Sequence, residues 1–296
     1  MQQRSNFSFS SIFLLRFHLG YKTATLVKRG LIFVILLAIA LSTLFPVYFM
    51  AVNAFKTQSD YISQKLTLPR EFVTDNLRLV WTERHLQFYF RNSLLVVGGA
   101  VFIYLFVCST AAYAFAKLRF RFRLEIFLVV LALTILPQVV ILLPLYRLVV
   151  LFGLLNKHLG LIIVYVAYFA PFGTYLMTSY YRNIPTDIIE AAKIDGANDW
   201  KIYTRIMLPI GKPGLATLAV VGSLAMWKEL LFAMVLLQEQ SNRTLMVGIA
   251  ALKGETAAKA TTLSAALLIS SIPAIAIFLF LQQYVTKGFT VGAIKE

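Results

Sequence analysis

Side chains able to do chemistry are sparse in this chain. Its 296 residues include three histidines, one cysteine and thirteen carboxylates, and none is grouped at a spacing that builds a metal site or a catalytic set. His18, His85 and His158 lie far apart, and Cys108 sits alone in an apolar run, where a small buried residue is its ordinary role. There is no H-E-x-x-H and no G-x-S-x-G, and the G-K-P at Gly211 lacks the earlier glycine and the hydroxyl of a phosphate-binding loop. No catalytic residue, metal or cofactor is expected, and the chain reads as something other than an enzyme. Two polar features remain. One is the stretch EAAKIDGANDWKIYTRIMLPIGKP from Glu190 to Pro213, which mixes acids, bases, a tryptophan and a glycine. The other is the adjacent pair Lys228 and Glu229, set inside apolar sequence.

The surrounding elements must be membrane helices. The chain is 59% hydrophobic and 14% charged, with mean hydropathy +0.76, too little polar surface for a soluble domain of this length. Six runs approach or exceed the roughly 20 apolar residues that cross a hydrocarbon core as a helix. They lie near Gly30–Phe55, Asn92–Ala116, Leu124–Tyr146, Leu159–Tyr181, Pro213–Leu237 and Thr262–Val285. Pro46, Pro137, Pro144, Pro171 and Pro273 fall inside these runs, and neighbouring helices can satisfy the backbone groups they free. The small residues Gly98, Gly99, Ala100, Ala111, Ala112 and Ala114 suit close helix approach.

The net charge of +15 does not point to nucleic acid, because the bases collect in the tails and between the apolar runs. Arg4, Arg16, Lys22, Lys28 and Arg29 precede the first run with no acid among them, and Lys117, Arg119, Arg121 and Arg123 crowd one later loop. The expected arrangement is therefore a cytoplasmic tail over 1–29, a transmembrane domain over 30–285 and a cytoplasmic tail over 286–296. Both termini lie inside, and the loop from about Arg182 to Lys212 faces the cytoplasm. Its sequence predicts two short helices. Pro185 suits a helix start, and Asp187 and Glu190 suit the positive end of the dipole. Gly196 allows the turn, Asn198 caps a second helix carrying Trp200, Ile202, Tyr203 and Ile206, and Pro209 ends it. A helix resting on lipid is the alternative, but the mixed surface and short length suit a protein partner better.

The spacing Glu190-Ala191-Ala192, then Gly196, then Ile206-x-Leu208-Pro209 resembles the EAA loop of binding-protein-dependent ABC importer permeases at every anchor. The resemblance continues through PTDIIEAAKIDGA, WKELLFA, TLMVGIAAL and KGFTVGAIKE, from about Asn92 to the end. It is similar to the carbohydrate-uptake branch, in particular the shorter permease of maltose-type transporters. It implies an all-α membrane protein with six transmembrane helices, the MetI-like fold of type I importers, in the bacterial inner membrane. It also implies a coupling loop of Glu190, Ala191, Ala192, Asp195, Gly196, Ile206, Leu208 and Pro209 that docks in an ATPase subunit. The implied partners are an ATP-binding subunit dimer, a second homologous permease and a periplasmic or lipid-anchored solute-binding protein. The tail at KGFTVGAIKE is implied to contact the ATPases. An ion-gradient-driven transporter is the alternative from outside the family, and an amino-acid or peptide permease is the one within it.

One departure stands out. Family members commonly carry Trp-Asn where this chain has Trp227-Lys228. Charges deep in a span are costly and must face a partner or a wet cavity. Two readings of the pair stand: both charges are satisfied by neighbouring helices, or Lys228 lines the translocation path with Trp227, Glu229, Phe232 and Met234 nearby. Adjacent helical residues point about 100° apart, so one of the pair can face a path while the other packs. The second reading implies an acidic oligosaccharide such as a uronate oligomer.

Overall fold

The computed structural model describes residues 9–254 and 259–293, with side chains over 28–253, 259–280 and at Gln282. The extreme ends, including the last three residues of the tail, lie outside the described residues. Helix α1 (Phe9–Ala54) leads to two short helices, α2 (Gln58–Ser63) and α3 (Asp75–Arg78). Then come α4 (Leu86–Lys117), α5 (Arg123–Ala132), α6 (Gln138–Leu151) and α7 (His158–Arg182). The loop holds α8 (Asp187–Ile194), α9 (Asp199–Ile202) and α10 (Leu208–Ile210). Beyond it lie α11 (Lys212–Trp227), α12 (Leu231–Leu236), α13 (Leu245–Gly254) and α14 (Ala260–Ala293). No strand occurs among the described residues.

Four helices are long and apolar enough to cross a bilayer: 28–54 of α1, α4, α7 and 260–280 of α14. Two bent pairs are also long and apolar enough when taken together, α5 with α6 at a bend of 105° and the 199–210 segment with α11 at a bend of 75°. The third apolar run is thus not the straight helix expected over Leu124–Tyr146. Pro137 forces Leu136 out of the helical region to ψ 120°, and α6 starts afresh at Gln138. Pro46, Pro144, Pro171 and Pro273, in contrast, lie within continuous helices. The fifth run also differs from the expected Pro213–Leu237: α11 ends at Trp227, and α12 resumes at Leu231. The first and last helices run past the expected spans, so residues 9–29 and 286–293 continue α1 and α14 as helix.

The core forms where α4, α7 and α11 pack together. The Tyr104 ring of α4 lies between Gly173 of α7 and Gly222 of α11. A Cβ at either glycine would come within 2.3 Å and 2.6 Å of that ring or its hydroxyl. Leu161, Met177, Tyr181, Leu218 and Met226 of the same helices are all buried in this core. Of the small residues on α4, Ala100 and Ala112 are fully buried. A Cβ at Gly99 would lie 3.1 Å from Ile162, whereas Gly98 has open space on its face. Helix α14 packs on α11, and α1 packs on α14. The outer face of α1 carries Leu31, Phe33, Leu36, Leu41 and Leu44, all exposed, as a hydrocarbon solvent demands. The end of the bundle opposite the 182–212 loop is tied by polar contacts. Asn92 donates to the carbonyls of Ser241 and Arg243, and the backbone N–H of Leu245 donates to Ser93 Oγ.

Candidate functional site: a surface loop and a broken helix

The loop after α7 is bolted to the bundle on one face and bare on the other. Thr186 begins α8, its carbonyl accepting from the N–H groups of Ile189 and Glu190. Ile189 and Ala192 are buried, whereas Glu190, Ala191, Ile194 and Asp195 point away from the bundle. The Ala pair is therefore divided: Ala192 lets α8 sit close to the bundle, and Ala191 leaves the outer face low. At the helix end the N–H of Ala197 reaches the carbonyl of Ala192 at 2.9 Å, and the N–H of Gly196 reaches that of Lys193 at 3.0 Å. With Gly196 at φ +78°, this is a Schellman end, which requires a left-handed residue there. Asn198 then caps α9, its Oδ1 accepting from the N–H of Lys201 at 2.8 Å. Lys193 and Asp199 pair at 3.1 Å across the turn, exposed and worth little by themselves.

Beyond α9 the chain widens into a π-type turn over Tyr203–Met207. Ile202, Tyr203 and Met207 are buried and fasten the loop. The Tyr203 hydroxyl pairs with Ser109 Oγ of α4, and its ring lies 5.6 Å from that of Tyr113. Lys117, the last residue of α4, donates to the carbonyl of Ile184. Ile206 and Leu208 are half-buried. Pro209 lies one residue before the end of the helical stretch, which closes at Ile210. Ile194 at 86% and Trp200 at 59% exposure are the barest large apolar side chains on this loop. A cleft lined by Lys117, Phe120, Ile189, Glu190, Lys193 and Asp199 lies between the end of α4 and this loop. The sequence motif included neither Ile194 nor Trp200 among its anchors. A large apolar residue near a loop glycine was the available signal.

The second candidate, Trp227 to Phe232, falls at the break between α11 and α12. Trp227 is buried, its ring edge-on to Phe90 at 5.8 Å and its Nε1 donating to the carbonyl of Ser270 at 3.0 Å. Phe232 is fully buried and edge-on to Tyr168 at 5.2 Å. Glu229 is 7% exposed, and its carboxylate accepts four hydrogen bonds. Lys228 is exposed, as is Met234. The pair thus separates, with the carboxylate inside and the ammonium outside. Gln138 and Tyr165, which satisfy Glu229, escaped the sequence reading. A lone amide after Pro137 was the one hint. Among the described residues no group of His, Cys, Asp or Glu side chains has the arrangement of a metal site.

Residues 105–291 match the family described as "Binding-protein-dependent transport system inner membrane component". The melibiose/raffinose/stachyose import permease protein MelC of Bacillus subtilis is 31% identical over 258 residues, 87% of this chain and 93% of that one. The diacetylchitobiose uptake system permease protein NgcG of Streptomyces coelicolor is 29% identical over 252 residues, 84% of this chain and 83% of that one. Among solved structures, one chain of a bacterial ABC transporter involved in the import of the acidic polysaccharide alginate superposes with a TM-score of 0.73 at 25% identity. The match covers 87% of this chain and 96% of that one.

Proposed function

The chain belongs to the binding-protein-dependent transport system inner membrane components, and from that premise we propose that it is the membrane-spanning subunit of an ATP-driven oligosaccharide importer. The observation that carries the proposal is the loop from α8 to α10. Its inner face is fixed to α4 through Tyr203 and Ser109, while its outer face presents Glu190, Ala191, Ile194 and Trp200. A bare apolar face on a polar loop suits a soluble partner that covers it. In this account α8 docks in an ATPase subunit, closure of the ATPase dimer on ATP moves α8, and the bundle switches access from one side of the membrane to the other. Substitution of Glu190 by Lys tests the docking, with reduced co-purification of the ATPase as the expected result. An undiminished yield together with normal uptake counts against it.

The remaining assignments extend this reading. A second, homologous permease covers the exposed apolar helices and completes the pore. The solute-binding protein meets the end of the bundle that carries Asn92 and Ser241. Both termini lie on the coupling-loop side, and labelling of a cysteine placed at Lys201 from the cytoplasm alone tests that orientation. The C-terminal tail contacts the ATPases, and deletion of residues 289–296 should lower co-purification; an equal yield removes that contact.

Support for a carbohydrate comes from the names of MelC and NgcG and of the alginate-importing transporter. Within that class the substrate we favour is acidic, a uronate oligomer. The support is Lys228, an exposed ammonium at a helix break, where a carboxylate-bearing sugar gains a charge-assisted contact. Lys228→Asn should lower uptake of a uronate oligomer about tenfold, the range of one such contact, and leave assembly intact. Equal uptake by the variant rules Lys228 out as a substrate contact, and loss of assembly assigns it a structural role.

A further inference from the structure

Glu229 lies where two broken helices and one unbroken helix meet. Its Oε1 accepts from Gln138 Nε2 at 3.2 Å and from the N–H of Phe232 at 2.8 Å. Its Oε2 accepts from the Tyr165 hydroxyl at 2.9 Å and from the N–H of Ala233 at 3.1 Å. Gln138 is the first residue of α6, directly after the bend at Pro137. Phe232 and Ala233 belong to the first turn of α12, directly after the break that ends α11. Tyr165 belongs to α7, which runs unbroken to Arg182 at the start of the docking loop.

Each half-helix begins with backbone N–H groups that have no partner of its own making. A buried carboxylate is costly to desolvate unless several donors face it. At this point each problem answers the other, and a neutral cap would have served α12 alone. The extra donors, Gln138 and Tyr165, tie the capped end to two other helices.

The opposite end of α12 is also fastened. The N–H of Asn156 donates to the carbonyl of Leu236 at 2.9 Å, and its Oδ1 accepts from the N–H groups of Gln238 at 2.7 Å and Glu239 at 3.1 Å. Asn156 lies in the turn that leaves α6, with φ +57°. Helices α6 and α12 are therefore joined at both ends into one block. The block is bounded by two breaks at 136–137 and 228–230, and breaks of this kind absorb backbone rotation.

We infer that Glu229 is a positioning residue for transport: it is the joint through which α7, moved by the docking loop, drives α6 and α12 as one block about the two breaks. This rests on the proposed role as an ATP-coupled permease. Tyr165 carries displacement from α7 to the carboxylate, and Gln138 and the α12 N–H groups pass it to the block. Tyr165→Phe removes the drive and leaves the block joined, whereas Gln138→Leu and Glu229→Gln loosen the block itself. In Glu229→Gln one of the two α12 N–H groups meets an amide NH2 in place of an oxygen.

The test uses the assembled transporter, with ATP hydrolysis and oligosaccharide uptake measured on the same preparation. Uptake per ATP hydrolysed should fall about tenfold in Tyr165→Phe and Glu229→Gln, the range of one bond to a charged group, with hydrolysis within about twofold of the parent protein. Spin labels on exposed Leu143 of α6 and Met234 of α12, with the buried Cys108 unlabelled, read the block directly. Their separation should stay constant between nucleotide-free and ATP-trapped states and in Tyr165→Phe. It should broaden in Gln138→Leu and Glu229→Gln. An unchanged ratio of uptake to hydrolysis in Tyr165→Phe, or a label separation that changes during the cycle of the parent protein, overturns the inference. If Glu229→Gln fails to assemble, Tyr165→Phe and Gln138→Leu carry the same test. Absence of ATP-driven uptake in the parent transporter would instead remove the proposed function on which the joint rests.

Discussion

Gly196 separates the conformational demand of the 182–212 loop from the contact surface proposed for it. It has φ +78°, and a Cβ placed on it meets nothing within 4 Å of the chain itself. A substitution here therefore costs backbone strain and no internal clash. Alanine in the left-handed region costs roughly 1–2 kcal/mol, which lowers the population of the native turn by up to about five- to thirtyfold. Asparagine adopts this region far more readily and should cost less. Proline is another matter. Its ring holds φ near −65°, about 140° away from +78°, and it deletes the N–H that bonds the carbonyl of Lys193. The Schellman end cannot form, and α9 leaves α8 in a different direction. The assay is ATP-driven uptake by the assembled transporter, with ATPase co-purification as the second readout. The expected order is Gly, then Asn close behind, then Ala, with Pro inactive yet inserted in the membrane. Two results refute the reasoning. Normal uptake with proline would mean that the turn is dispensable. Asparagine as damaging as proline would mean that a partner surface touches Gly196 and that its torsion angle is secondary.

Ile194→Asp should leave membrane insertion and thermal stability within about 0.5 kcal/mol of the parent, as for other exposed positions, and abolish ATPase capture in a pull-down. Tyr203→Phe removes the hydroxyl that meets Ser109 and leaves a buried partner unmatched, a loss of about 1–3 kcal/mol. Its expected mark is reduced uptake with normal membrane yield, read by transport and by quantitative immunoblot. Gly222→Ala drives a Cβ into the Tyr104 ring, and overpacking of this kind costs typically 1–3 kcal/mol. A lowered melting temperature of the detergent-solubilised transporter checks it, and a smaller residue at Tyr104 in the same background should restore part of the loss.

What the sequence disclosed follows from the solvent of each part. In lipid an apolar run must become helix, so the helices α1, α4, α7 and α14 are legible as hydropathy alone. The turn between α8 and α9 is legible because Gly196 and Asn198 act on neighbours a few residues away. The breaks are not legible in the same way. Apolar sequence continues through Leu136–Pro137 and through Leu230, and hydropathy does not say which carbonyl or carboxylate receives a given N–H. The groups that stabilise the second break are Gln138 and Tyr165, 91 and 64 residues from Glu229, a separation that no local pattern reports. The same holds for Trp227, whose N–H the structure commits to the carbonyl of Ser270, 43 residues away.

The most direct measurement is uptake of a labelled oligosaccharide into proteoliposomes holding this chain together with a second permease and the ATP-hydrolysing subunits, with the solute-binding protein supplied outside. The account predicts accumulation that requires ATP on the coupling-loop side, fails with a non-hydrolysable analogue and disappears when the binding protein is omitted. Accumulation by this chain alone, driven by an ion gradient with no ATPase present, would contradict it.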